Sequence, residues 1–76
     1  GSDLFSKKIN WLDMTKASLE NYQRDKNATQ VLKTQLLIAD AIPYDIAENL
    51  KAAKLLSRIS DARAATYHQR AIWAGY

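Results

Sequence analysis

From Ile46 to Trp73 the chain reads as one uninterrupted helical stretch with an apolar seam on each of two opposite sides. One seam runs Ile46, Leu50, Ala53, Ser57, Ser60, Ala64, Tyr67 and Ala71 in alternating steps of four and three, which is heptad spacing. The other runs Ala52, Leu55, Ile59, Ala62 and Thr66 and ends at Trp73. A helix with a single apolar stripe is satisfied by one neighbour. A helix with two needs cover on both sides, from other helices of the chain, from a second copy or from a partner. The pattern therefore points to assembly rather than to chemistry.

Two further helical segments precede it. The first spans about 4–24, with Phe5, Ile9, Leu12, Thr15, Leu19 and Tyr22 on one stripe and Lys7, Lys8, Asp13, Lys16 and Glu20 outside it. The stripe loses phase near Arg24–Asn27, and Asn27 with Gln30 has the form of a capping box that opens a second helix. Without that break, the two segments would form a single helix of about 38 residues, roughly 57 Å long. The second segment, about 28–41, is the most apolar part of the chain, with Val31, Leu32, Leu36, Leu37, Ile38, Ala39 and Ile42. Pro43 closes it, because proline lacks the amide hydrogen and pushes Ile42 out of the helical conformation.

Asp45 with Glu48 repeats the capping pattern and opens the third helix, expected over about 46–74 with Gly75 ending it. That helix would be about 28 residues and roughly 42 Å long, twice the second. Its distal half, from Ser60 on, then has to find cover on helix one or on another chain. The small residues Ala53, Ser57, Ser60 and Ala64, flanked by Leu50, would admit a neighbouring helix at about 8 Å. They form the candidate self-association seam.

Composition narrows the classes. A chain of 76 residues has room for one domain and a small core. It has no cysteine and one histidine, so disulfides and zinc clusters are excluded as staples and oligomerisation is the staple left. Only two glycines and one proline argue against a loop-rich β fold or a disordered chain. No apolar run reaches the roughly 18 residues of a membrane span. A cytoplasmic setting is expected, and Gly1-Ser2 has the look of a cloning remnant ahead of a single domain over 3–76.

No residue set proposes a reaction. His68 stands beside Tyr67 and near Arg70, but no serine, cysteine or carboxylate is placed to work with it, and there is no glycine-rich phosphate loop. The carboxylates show no paired metal-ligand spacing. No enzyme activity, cofactor or metal is expected.

Charge and aromatic residues are more suggestive. The last helix holds Lys51, Lys54, Arg58, Arg63 and Arg70 against Glu48 and Asp61, five cations minus two anions, which equals the whole net charge of +3. Lys51, Lys54 and Arg58 share one face and are the candidate nucleic-acid contacts. Tyr67, Arg70, Trp73 and Tyr76 combine the residue types enriched at interface hot spots and are the candidate partner-binding residues. The expected protein is all-α, a small three-helix bundle or a long helical hairpin, dimerising through its C-terminal helix. Its expected role is a non-catalytic adaptor or regulatory module that binds another protein or a second copy of itself. Nucleic-acid binding is the alternative, and a membrane is not the expected partner.

Overall fold

The computed structural model describes residues 2–76, with side chains from Leu4 onward. Gly1, read above as part of a cloning remnant, lies outside the described residues. The described chain is all-α and contains four helices, α1 (Ser2–Arg24), α2 (Ala28–Ala41), α3 (Ile46–Arg58) and α4 (Arg63–Trp73).

Local chemistry sets most of these boundaries. The Asn27 side chain accepts a hydrogen bond from the Gln30 amide at 3.3 Å and separates α1 from α2, so the single long first helix does not form. Pro43 follows the end of α2 as expected, and the Asp45 carboxylate accepts from the Glu48 amide at 2.9 Å to open α3. Only that half of the capping box forms. The Glu48 side chain turns away, taking a hydrogen bond from Gln35 Nε2 at 3.0 Å and an ion pair from Lys51 at 3.1 Å. Gln35 and Glu48 are both buried, so this contact ties α2 to α3 through a satisfied polar pair. Asn49, fully buried, donates to the carbonyls of Pro43 at 3.0 Å and Asp45 at 2.7 Å and pins the α2–α3 turn.

The expected C-terminal helix is two helices. After Arg58 the chain turns through Ser60, whose φ is +55°, and α4 starts again at Arg63. The Asp61 amide donates to Leu56 O at 3.0 Å and the Ser60 amide to Ser57 O at 3.1 Å. These are the paired bonds of a left-handed helix C-cap, which satisfy the carbonyls the last turn would otherwise leave free. The same pair closes α1, with Lys26 at φ +56°, and α4, with Gly75 at φ +120°. Asp61 then serves the other side of the break, accepting from the Arg63 amide at 2.9 Å. The reason for the break is partly tertiary. Turning at Ser60 returns Ala64, Tyr67 and Ala71 to the helix they came from, and Tyr67 joins Ala39, Ala52, Ala53 and Leu56 in one buried cluster.

The helices lie side by side in chain order. The main contacts run from α1 to α2, from α2 to α3 and, most extensively, from α3 to α4. Cα extents of 39 × 33 × 15 Å give a flattened molecule whose thin dimension matches two helices packed about 10 Å apart, since Cα atoms lie about 2.3 Å from a helix axis. The radius of gyration, 12.9 Å, exceeds the roughly 11 Å of a compact domain this size. Four helices stand where a three-helix bundle was expected, and Tyr67 and Arg70 of α4 reach Asp40 of α2, so α2, α3 and α4 share one core while α1 packs on α2.

Candidate functional site

The aromatic and arginine residues of α4 divide into two groups. Tyr67 is only 6% exposed, and its hydroxyl donates to Asp40 Oδ1 at 2.8 Å. Arg70 Nη1 donates to the same oxygen at 2.8 Å while its guanidinium lies 4.7 Å from the Tyr67 ring centroid. Both residues therefore join α4 to α2 inside the chain. Burial is the main reason the Tyr67 hydroxyl is held above its ordinary value of 10.0, with the Asp40 hydrogen bond adding to it. Trp73 and Tyr76 are 76% and 68% exposed, with Ile72 exposed beside them. Of the four expected partner-binding residues, these two are free to meet another molecule.

The small-residue seam is largely used by the chain itself. Ala53 is buried, and Ala64 packs against the cluster that contains it, so the turn at Ser60 folds the seam shut. Ser57 and Ser60 remain exposed. The expectation of a seam running along one long helix is corrected accordingly. The distal half of the first seam covers its proximal half because the helix breaks, whereas Ile59, Ala62, Thr66 and Trp73 of the second seam stay exposed. A shallow groove of about 450 Å³ remains along the α3–α4 pair, floored by Leu50, Ala53 and Ala64 and edged by Lys54, His68 and Tyr76. His68 meets the Tyr76 ring edge-on at 6.1 Å.

The basic stripe lies on the exposed side of α3. Lys51, Lys54 and Arg58 fall within about 60° of one another around the helix, opposite Asn49, Ala52 and Leu56. Lys51 is paired with Glu48 and Arg63 with Asp61 at 2.8 Å, while Lys54 and Arg58 form no ion pair among the described residues. The Arg63 side-chain hydrogen bond, helped by its amide, holds the Asp61 carboxyl at about 2, below its ordinary 3.8.

Sequence reasoning missed the first half of α1. Leu4, Phe5, Ile9, Trp11 and Met14 are all exposed, although Phe5 and Ile9 belong to the apolar stripe. The stripe is buried only at its far end, where Leu19 meets the core. A signal was present in the relative lengths. At 23 and 14 residues, α1 and α2 span about 34 and 21 Å, and no second helix of that length can cover the first. A cleft of about 440 Å³ sits at this uncovered end, lined by Lys8 of α1 and by Ala41, Ile42, Pro43 and Tyr44.

Among the described residues no group of three or more histidine, aspartate and glutamate side chains is placed to hold a metal ion. No described helix is long and apolar enough to cross a membrane. No known protein family matches this chain, and no curated protein or solved structure matches it either. Function has to be argued from the surface alone.

Proposed function

We propose that this chain is a non-catalytic protein–protein interaction module, a cytoplasmic adaptor or regulatory piece that works by helix packing. One observation carries the reading. Among the described residues eleven large hydrophobic side chains are exposed, whereas only Leu19, Ile38, Leu56 and Tyr67 among the large ones are buried. Isolated apolar residues on a surface are ordinary, but here they gather on the first half of α1 and at the end of α4. Trp73 and Tyr76 supply aromatic area of the kind that anchors interfaces.

The test is co-purification from the native host with mass spectrometry, comparing the parent with Trp73→Ala. Because Trp73 is mostly solvated, its truncation leaves the fold intact, and hot-spot behaviour would weaken a bound protein by roughly 30-fold. A partner held equally well after alanine replacement of every exposed apolar residue would overturn the reading.

Nucleic-acid binding is the second reading, favoured by Lys54 and Arg58 standing exposed beside Lys51 without acidic partners. Fluorescence anisotropy with duplex and single-stranded oligonucleotides measures it. Changing all three cations to glutamine would flatten the slope of log affinity against log salt by about two to three units. No salt-dependent binding by the parent removes this reading.

A further inference from the structure

We infer that the turn from Ile59 to Ala62 is a hinge, and that opening it lets two copies exchange α4, so that the seat on α2 and α3 of each chain receives α4 of the other. The exchange goes beyond the interaction-module reading, because it rests on the buried face of α4 rather than on exposed apolar side chains. The first seam keeps its steps of four and three straight through the turn, from Ala53 and Ser57 to Ser60, Ala64 and Tyr67. A hairpin has no use for that continuity, since a turn frees its two helices to take any phase. One straight helix requires it. Ile59, Ser60, Asp61 and Ala62 include neither glycine nor proline, so all four can be helical. In the closed turn Ser60 holds φ at +55°, where the Cβ of an L residue is crowded by the carbonyl oxygen, and Ala62 gives α4 no side-chain cap. Opening relieves that crowding and carries the helical ladder across the break, at the loss of the surface bond from the Arg63 amide to Asp61. Pro43 bars the same opening between α2 and α3, and the α1 stripe loses phase before Asn27.

The seat names its occupant. Ala64 and Tyr67 of α4 pack with Ala53 and Leu56 of α3, and Tyr67 and Arg70 both donate to Asp40 of α2. A second copy's α4 carries the same side chains in the same order and remakes each of these contacts. Exchange therefore costs the association of two chains, set against two relieved hinges, and a short hinge under strain is what invites it. In the dimer the two stretches over 46–73 become continuous helices of roughly 42 Å, antiparallel, with the two-fold axis close to Ser60. At 14 residues α2 spans about 21 Å, so each copy's α2 occupies its own half of that length.

The experiment uses the full chain, which has no native cysteine. Ala47→Cys and Ile72→Cys, both at exposed positions, are introduced together and spin-labelled. The labelled chain is unfolded and refolded with excess unlabelled parent at high micromolar concentration, so that pulsed dipolar spectroscopy reads the distance within one chain. In the closed hairpin the two positions are near neighbours, since a Cβ on Gly75 would stand 3.7 Å from Ile46 Cδ1. In a continuous helix they stand roughly 38 Å apart. Light scattering coupled to size exclusion measures the dimer in the parent, in Ser60→Gly and in Ser60→Ala. The expected results are a parent that dimerises at this concentration and a distance near 38 Å confined to the dimer fraction. Each dimer holds two hinges, so Ser60→Gly should weaken it about a hundredfold and Ser60→Ala strengthen it about fivefold. A parent and a Ser60→Ala variant that both stay monomeric overturn the inference and leave the interaction-module reading to a different protein partner. A dimer whose labels remain close overturns it by placing self-association on another surface, and so does a dimer that Ser60→Gly leaves unchanged or strengthens.

Discussion

Replacing Ser60 by glycine should stabilise the protein, and replacing it by alanine should not. Ser60 holds φ at +55°, where the Cβ of an L residue is crowded by the carbonyl oxygen, at a cost of about 1–2 kcal/mol. Glycine removes that crowding but gives the unfolded chain more freedom, which takes back about 0.5–1 kcal/mol. The expected net gain is about 0.5–1 kcal/mol, which for a domain of this size is a rise in Tm of roughly 3–8 °C. Alanine retains the Cβ and should be neutral or slightly destabilising. Urea and thermal melts followed by circular dichroism at 222 nm measure both variants. A continuous helix from Ile46 to Trp73 predicts the reverse order. There, glycine in a helix interior would cost close to 1 kcal/mol relative to alanine, and alanine would be the stabilising change. A melt series in which alanine outranks glycine would refute the turn and return the distal half of the chain to an extended helix.

Three other perturbations follow from the packing. Tyr67→Phe keeps the buried ring but deletes the hydrogen bond to Asp40, so it should cost about 1–2 kcal/mol in a urea titration; no loss would mean that bond contributes nothing net. Ala64→Arg forces a long cation against the Ala53–Leu56 cluster and should cost about 2–3 kcal/mol, whereas Ser57→Arg on the solvated side should stay within about 0.5 kcal/mol, and equal effects would place both on one kind of surface. Stability should also depend on pH at both extremes. The folded state keeps the Tyr67 proton above its ordinary pKa of 10.0, so that contribution is complete below pH 10 and lost as pH rises beyond it. Asp61 runs the opposite way, its contribution complete above 3.8 and lost as pH falls toward about 2, a small effect because the pair is at the surface. Urea midpoints measured at pH 7, 9 and 11 check the alkaline limb, and Tyr67→Phe should flatten it.

Helix starts were legible because their chemistry is local. Asn27 and Asp45 accept from amides three residues on, and Pro43 interrupts the ladder by its covalent structure. The break at Ser60 was not legible for a related reason. Two of the three left-handed caps use Lys26 and Ser60 instead of glycine, so the residue that marks such a cap is missing. Ser60 followed by Asp61 was the available hint, since both favour helix ends over interiors. That Tyr67 and Arg70 turn inward was not legible, because Asp40, which takes both, is 27 and 30 positions away and nothing local pairs them. Trp73 and Tyr76 remained exposed once the chain turned. The apolar stripe of α1 was legible as a stripe, but its cover was not, because cover depends on what a helix of different length leaves bare.

Whether a second copy covers the exposed apolar surface can be measured by melting the protein at two concentrations a hundredfold apart. If a second copy covers that surface, unfolding is coupled to dissociation, and the concentration change is worth about 2.7 kcal/mol per dimer. At about 2 cal/mol/K per residue of unfolding entropy, Tm should be roughly 5–10 °C higher in the concentrated sample. Superimposable melts at both concentrations, with a monomer's mass by light scattering, would contradict a self-completing assembly and leave the exposed apolar surface to a different partner.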